Sequence, residues 1–275
     1  MKRGMKEVYT HGHHASVVNS HAKRTAESCA AFLLRRNICQ ENSTRLLDVG
    51  CGPGTITAGL AKYCAKVDAL DNAPEIVERA RAEAERAHVA DKVSVQAASV
   101  YELPFEDETF DVVYTHQVLQ HLVDPVAALV EMRRVLKVGG VVAVREADYS
   151  SMLVFPEMAA VDMWRRVYRA TCVSNKAQPD AGRYLRHWAM QAGFGESALD
   201  LDFSTVSYTT LEECREWGQS WQQRALHSAF SAQAQEYGHA SKEELQRMSD
   251  DWAAWAEKPG ACFYYVNGEI LATKE

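Results

Sequence analysis

The 275-residue sequence lacks the features that would place it in a membrane, in a disulfide-stabilised class or on nucleic acid. No apolar run approaches the roughly 20 residues that cross a bilayer, and no apolar segment follows the basic N-terminus as in a signal peptide. The seven cysteines are odd in number and form no C-x-x-C pair, which disfavours disulfides and a thiolate zinc site. A net charge of −7 without basic clusters longer than two residues disfavours nucleic acid. We therefore predict a cytoplasmic monomer or weak homodimer that binds a small molecule, with no membrane, nucleic-acid or metal partner.

Short apolar runs alternate with helix-period segments from residue 44 to 148. Continuous strands rich in Val and Leu, separated by helices, are typical of a parallel sheet with helices on both faces. The predicted strands are TRLLDVG (44–50), AKVDALD (65–71), KVSVQAA (92–98), FDVVYTH (110–116) and GGVVAVREAD (139–148). The expected architecture is doubly wound α/β.

Helical segments flank this core on both sides. Upstream, the stretch from Ala15 to Arg35 has apolar residues at steps of three and four and predicts one long helix. Downstream, we expect two helices over 157–192 that are separated at Gln178-Pro179. The remaining predicted elements are a strand at 196–208, helices at 210–237 and 241–256, and a C-terminal strand element.

The stretch LLDVGCGPGT (46–55) predicts a strand, a tight turn and a helix. Gly50, Gly52 and Gly54 let the backbone approach a ligand, and the helix N-terminus behind them attracts an anionic group. The spacing G-x-G-x-G differs from the G-x-G-x-x-G of dinucleotide loops, which disfavours NAD. Asp71 ends the second strand, where a carboxylate can accept hydrogen bonds from both ribose hydroxyls. An adenosine ligand without a pyrophosphate is implied.

Four features together resemble the class I S-adenosylmethionine-dependent methyltransferases. They are the D-x-G-x-G-x-G loop with Asp48, the carboxylate Asp71, YELPFEDETFDVVYTHQVLQHLVDP (101–125) and LKVGGVVAV (136–144). Their joint occurrence is more specific than one glycine loop. The resemblance implies a mostly parallel seven-stranded, Rossmann-like sheet, methyltransferase activity and S-adenosylmethionine as the cofactor.

The resemblance also implies where the cofactor binds. In this family the third strand usually ends in an aspartate that contacts adenine, but here Ser99 stands at that place, next to the Val100 amide. His21 and Arg24 are predicted to share one helix face, where the Arg24 fork suits the methionine carboxylate. The predicted cofactor contacts are Tyr9, His21, Arg24, Asp48, Gly50, Cys51, Gly52, Gly54, Asp71, Asn72, Ser99, Val100, His116 and Gln117.

These assignments divide one methyltransferase domain, residues 1–275, into four parts. They are an N-terminal lid helix (1–40), a cofactor-binding core (41–150), helical additions that form the acceptor pocket (151–260) and a terminal strand (261–275). The helical additions at both ends are expected to form a lid.

The stretch VYTHGHHASVVNSHAKRTAE (8–27) concentrates four of the ten histidines, namely His11, His13, His14 and His21. Beside the glycine loop, it is interpreted as part of a lid over the cofactor and the acceptor. A metal site and a solvated structural segment are the alternatives. No cysteine or carboxylate joins the imidazoles, which disfavours the metal site.

Polar side chains at the carboxyl ends of strands four and five are the catalytic candidates, because open α/β sheets bind ligands there. His116 could act as a base or an orienting donor, Glu146 could face the acceptor, and His11 could reach it from the lid. His121, in the next helix, is predicted to be structural. The residues expected around the acceptor are Tyr149, Phe155, Trp164 and Trp188.

Further stretches indicate a branch within the family. The Y-T-H-G-H-H…S-H…R-T-A-E entry, the R-E-A-D-Y end of strand five and PDAGRYLRHWAMQAGF (179–194) resemble a microbial, notably fungal, branch of the UbiE-type, ubiquinone-biosynthesis-like methyltransferases. Length and layout resemble the fungal bis-thiomethyltransferases of gliotoxin-type dithiols in secondary metabolism. This resemblance implies S-methylation of a dithiol. O- or C-methylation of a phenol or quinol, and a non-catalytic cofactor-binding regulatory relative, stay open as alternatives.

Overall fold

The computed structural model describes residues 8–275, which contain a seven-stranded sheet. Its strands are β1 (Arg45–Val49), β2 (Lys66–Asp71), β3 (Val93–Ala97), β4 (Phe110–His116), β5 (Leu136–Phe155), β6 (Leu199–Tyr208) and β7 (Cys262–Thr273). Their order across the sheet is β3-β2-β1-β4-β5-β7-β6. The pairings among β1 to β5 are parallel, and β7 runs antiparallel to β5 and β6. The predicted mostly parallel α/β sheet is confirmed.

Helices pack around this sheet. They are α1 (Ala15–His21), α2 (Ala26–Cys29), α3 (Ala31–Leu34), α4 (Thr55–Leu60), α5 (Pro74–Arg86), α6 (Pro125–Val135), α7 (Ala159–Ser174), α8 (Leu185–Gln191), α9 (Leu211–His227), α10 (Ala229–Glu236) and α11 (Lys242–Ala256). Short 3-10 turns lie at Leu119–His121, Ala181–Tyr184 and Glu196–Ala198. None of the helices in the described range is long and apolar enough to cross a membrane.

Apolar side chains form a core on each face of the parallel strands, because successive strand residues point to opposite faces. Within β1, for example, Leu47 and Val49 belong to one cluster and Leu46 to the other. A third cluster packs α7, α9 and α11 against two strand segments. These are the part of β5 after Arg145, where its pairing with β4 ends, and the first part of β7. Its large buried side chains are Trp164, Trp221, Trp252, Trp255 and Phe263.

Three short helices replace the single helix predicted over Ala15 to Arg35. α1 ends at His21. Thr25 has an extended backbone just before α2, and its hydroxyl accepts the Ser28 amide at 3.3 Å. Such a cap favours a new helix over continuation of the old one. His21 and Arg24 therefore do not share a helix face.

Two downstream elements also differ from the prediction. The helix expected over 210–237 divides at Ser228, which is extended and whose hydroxyl donates to the Arg224 carbonyl at 2.6 Å. β5 continues well past residue 148, since its second half pairs with β7. The two helices expected over 157–192, with a break at Gln178-Pro179, are confirmed as α7 and α8.

Candidate active site

A deep cleft opens at the carboxyl ends of β1, β2 and β4. The strand order reverses between β1 and β4, and open α/β sheets bind ligands at such a point. The cleft and its open mouth enclose about 1250 Å³ of empty space. The position of the cleft makes it the candidate site for a nucleoside-sized ligand.

The structure places every predicted cofactor contact except Gly54 around this cleft. The lining residues from that set are Tyr9, His21, Arg24, Asp48, Gly50, Cys51, Gly52, Asp71, Asn72, Ser99, Val100, His116 and Gln117. Gly54 caps α4 with φ of 85°, and a Cβ there would lie 2.8 Å from the Cα of Ala80 on α5. Gly54 thus allows two helices to pack closely. A Cβ at Gly52, by contrast, would meet nothing within 4 Å, so the loop is open on its cleft side.

Asp71 presents a carboxylate at the end of β2. Its Oδ2 accepts the Gly52 amide at 3.2 Å and its Oδ1 accepts the Ala73 amide at 3.1 Å. Burial raises the pKa of Asp71 above its usual range, and these two amides act in the opposite direction. The carboxylate also lines the cleft, so it can accept hydrogen bonds from a ligand there.

Asp48 is a second carboxylate in the cleft, at 2% exposure. The Thr57 hydroxyl donates to its Oδ2 at 2.6 Å. Burial raises the pKa of Asp48 to about 7, because the charged form loses its hydration. A ligand cation next to Asp48 would favour the ionised form.

Replacing Asp48 with asparagine is expected to reduce the pH dependence of the stability of the ligand-free protein. The folded pKa lies above the unfolded one, so the unfolded chain loses its proton first and the free energy of unfolding falls between about pH 4 and pH 7. Between pH 5 and pH 8 this loss is on the order of 2 kcal/mol for the parent. Asparagine keeps an acceptor for Thr57 but does not titrate. Urea unfolding at both pH values measures the difference, with the exposed Asp91→Asn as control. An unchanged pH dependence in Asp48→Asn would contradict the buried, titrating carboxyl.

Arg24 lies where the cleft meets a second, inner cavity. Its Nη2 donates to Gln117 Oε1 at 2.6 Å, and within residues 8–275 it forms no ion pair with a carboxylate. Gln117 has a left-handed backbone, with φ of 54°, where the chain leaves β4 for the following 3-10 turn. This turn directs its side chain toward Arg24. The guanidinium keeps donors for an anionic ligand group.

A smaller inner cavity adjoins the cleft, and its empty space is about 410 Å³ when the solvent at its opening is included. The two share His21, Arg24, Gln117 and His121. The side chains that line only the inner cavity include His11, Tyr149, Met152, Trp217, Arg224 and Tyr265. Within the described range, its lining contains two arginines and no carboxylate.

Four buried histidines around the two cavities, His11, His21, His116 and His121, are neutral. Burial lowers the pKa of His121 to about 3 and lowers the pKa of His11, His21 and His116 well below their usual value. The nearby guanidinium of Arg24 acts in the same direction on all four. His11 Nε2 lies 2.7 Å from the hydroxyl of Tyr168 and 3.3 Å from that of Tyr149. These imidazoles can orient hydrogen bonds but are weak bases.

Glu146 does not line the cleft or the inner cavity. It is fully buried, and its carboxylate accepts the amides of Val118, Leu119 and Gln120 at 2.8, 2.7 and 3.3 Å. Burial raises the pKa of Glu146 to about 7 against the effect of these donors. The catalytic role expected for Glu146 is therefore corrected to a positioning role, because it holds the turn after Gln117.

The structure also separates the four residues expected around the acceptor. Tyr149 lines the inner cavity. Trp164 is buried in the tryptophan cluster, Trp188 packs in the core with Leu185 and stacks on Tyr184, and Phe155 is 57% exposed. These three do not line either cavity, because α7, α8 and the end of β5 direct them to the cores or to solvent.

The histidine-rich stretch has several local roles. His14 caps α1 by accepting the Ser16 amide at 3.3 Å, and His13 lies 3.1 Å from Glu75 at the rim of the cleft. His11 lies deeper, in the inner cavity. Within residues 8–275, no group of three or more His, Cys, Asp or Glu side chains is placed to hold a metal ion.

Sequence reasoning missed six residues of the inner cavity and misread a seventh. The missed residues are Ser20, Gln120, Ala147, Trp217, Arg224 and Tyr265. His121 was expected to be structural, yet it lines both cavities and its Nδ1 has no partner in the described range. One signal was available for Arg224: it follows Trp217 by seven residues and Trp221 by three, so a charge lies on the apolar face of a helix.

Comparison with known proteins is consistent with this geometry. A model of the methyltransferase domain family matches residues 47–144. An uncharacterized methyltransferase of Schizosaccharomyces pombe is 36% identical over 275 residues, which cover 97% of this chain and 96% of that protein. An O-methyltransferase of Penicillium expansum is 34% identical over 150 residues, 54% of this chain and 51% of its own length. The crystal structure of a candidate methyltransferase from Bacillus halodurans has a TM-score of 0.58 at 21% identity and covers 89% of this chain and 97% of that one. The family match spans the strands that carry the glycine loop, Asp71 and His116.

Proposed function

The chain belongs to the S-adenosylmethionine-dependent methyltransferases, and on that premise we propose that it methylates the sulfur of a small thiol bound in the inner cavity. The cofactor is S-adenosylmethionine, which supplies an electrophilic methyl group on its sulfonium when bound. The inner cavity adjoins the cleft through four shared residues, so an acceptor there would face the cofactor's reactive end. Holding two reactants close and aligned accounts for much of the rate of such a displacement.

The charges around the cleft fit the cofactor. In this proposal Asp71 accepts hydrogen bonds from the two ribose hydroxyls, because its carboxylate lines the cleft at the end of β2. Arg24 binds the methionine carboxylate, because its guanidinium forms no ion pair within residues 8–275 and keeps donors beside its bond to Gln117. Asp48 offers a carboxylate to the ammonium group, and Ser99 and Val100 lie where the adenine would bind.

The observation that carries the choice of a thiol is the absence of a strong base among the described residues of the inner cavity. Its lining has no carboxylate, and the pKa of its histidines is lowered by burial. Burial likewise raises the pKa of Tyr149 above its usual range, so this hydroxyl stays protonated. The pKa of a thiol is about 8.5 and that of a phenol is about 10, so a thiol needs the smaller lowering of its pKa to ionise at neutral pH.

A second candidate is O-methylation of a phenol. The similarity to the O-methyltransferase of Penicillium expansum favours it. The neutral His11 and its two tyrosine partners could also hydrogen-bond a phenolic oxygen. This candidate requires a phenol to lose its proton in a cavity whose described residues include no strong base.

A panel of acceptors tests the proposal. We expect that incubation with S-adenosylmethionine adds one methyl group to thiophenol and two to a dithiol such as dithiothreitol, as counted by mass spectrometry. Phenol and hydroquinone should react at least about tenfold more slowly at pH 8, because less of each is ionised. Reactions with Asp71→Ala, in which cofactor binding should be impaired, give the background.

Each other outcome selects a different function. Faster methylation of phenol than of thiophenol would replace the thiol by the phenol candidate, and a methyl on a quinol carbon would indicate C-methylation. Tight cofactor binding without transfer to any acceptor would favour a non-catalytic, regulatory role.

A further inference from the structure

Arg224 on α9 is a buried cation without a carboxylate partner in the described range 8–275. It is 3% exposed and, of the two cavities, lines only the inner one. Its Nη2 donates to the Ser16 carbonyl at a long 3.4 Å, and its guanidinium carbon lies 5.1 Å from the Trp221 ring centroid. Its Nε has no hydrogen-bond partner among the described residues. Most of its five N–H donors are thus available to a ligand.

The groups around Arg224 do not balance its charge. His11 and His21 are neutral, since burial lowers the pKa of both. Burial raises the pKa of Tyr9 to about 12 and that of Tyr149 beyond its usual range, so neither hydroxyl is ionised. An arginine keeps its proton even where burial lowers its pKa, as it does here. Because a desolvated cation without a counter-ion is unfavourable, an anion in this cavity would be stabilised.

We propose that Arg224 binds a carboxylate of the acceptor, so that the substrates are small acids whose nucleophile is carried on an apolar body. This inference rests on the proposed function in one respect, the binding of the acceptor in the inner cavity. Met152, Trp217 and Tyr265 line the same cavity and suit an apolar or aromatic body. The planar guanidinium matches a carboxylate through two parallel hydrogen bonds.

A carboxylate for Arg224 could come from the cofactor or from the acceptor. Arg24 lines both cavities, whereas Arg224 lines only the inner one. We therefore assign the methionine carboxylate to Arg24 and the acceptor carboxylate to Arg224. If Arg224 bound the cofactor carboxylate instead, its loss would weaken cofactor binding. If Arg224 binds the acceptor carboxylate, its loss leaves cofactor binding unchanged.

Two matched acceptors and one matched variant test the inference. Thiosalicylate and thiophenol share the thiol but differ in the carboxylate. In Arg224→Gln we expect KM for thiosalicylate to rise at least about tenfold, because a buried charge pair is lost. KM for thiophenol and the Kd for S-adenosylhomocysteine should stay within about twofold of the parent. Arg215→Gln, at an exposed arginine of the same helix, is the control.

A second measurement uses the parent protein and needs no turnover. With the protein saturated by S-adenosylhomocysteine, calorimetry should show benzoate binding at least about tenfold more tightly than benzamide. This result decides the inference even if Arg224→Gln fails to fold or if thiols are not methylated. Equal binding of benzoate and benzamide would overturn it. So would an equal rise in KM for both thiols, or a weakened Kd for S-adenosylhomocysteine, which would assign Arg224 to the cofactor. A failure of thiol methylation alone would overturn the proposed function and leave the acid-binding site.

Discussion

Replacing Glu146 with leucine is expected to lower the free energy of unfolding by on the order of 4 kcal/mol. Glu146 accepts the amides of Val118, Leu119 and Gln120 inside the protein. Leucine leaves all three donors without a partner, and each buried unsatisfied donor costs about 1–3 kcal/mol. Part of this loss is offset because the variant no longer buries a carboxyl group. Urea unfolding followed by the fluorescence of the six tryptophans measures the change.

Glu146→Gln is the matched control, since its amide oxygen keeps an acceptor for Val118 and Leu119. We expect it to lose less than half as much stability as the leucine variant. Its amide nitrogen would face the Gln120 amide, a donor against a donor, so full stability is not expected. A leucine variant as stable as the parent but without turnover would contradict the positioning role and return Glu146 to the acceptor.

The parts of the fold that local patterns determine were predictable from the sequence. Strand periodicity and intervening helices indicated the parallel sheet, and the glycine spacing with Asp71 indicated an adenosine ligand without a pyrophosphate. These signals are local because the loop, its strand and its helix are consecutive in the chain. The same holds for the helix break at Gln178-Pro179.

The parts that depend on long-range pairing were not predictable. The role of Glu146 depends on the β4–β5 register, which brings it beside amides 26 to 28 residues earlier in the chain. β5 was predicted too short because its second half is held by β7, more than a hundred residues later. Trp164 and Trp188 were expected near the acceptor because they are aromatic. Helix packing, which the sequence does not show, directs both side chains into the hydrophobic cores instead. By contrast, the Thr25 cap that divides the first helix is a local signal, because a threonine at this place favours the start of a new helix.

Replacing Asp71 with alanine is expected to raise the Kd for S-adenosylhomocysteine by at least about 100-fold. In the proposed complex its carboxylate accepts two ribose hydroxyls, and hydrogen bonds to a charged group contribute about 1.5–3 kcal/mol each. The variant also frees the Gly52 and Ala73 amides, which loosens the loop that borders the ligand. Calorimetric titration at 25 °C measures the Kd. Asp71→Asn keeps one acceptor oxygen and should lie between the parent and the alanine variant.

The ligand itself separates the ribose contact from a general loosening of the loop. Adenosine should bind the parent much more tightly than dideoxyadenosine, which lacks both hydroxyls, whereas Asp71→Ala should bind the two about equally. The double difference isolates the contact between carboxylate and hydroxyls, since any loss through the loop affects both ligands alike. If the preference for adenosine survives in Asp71→Ala, another group binds the ribose and Asp71 serves only to hold Gly52 and Ala73 in place.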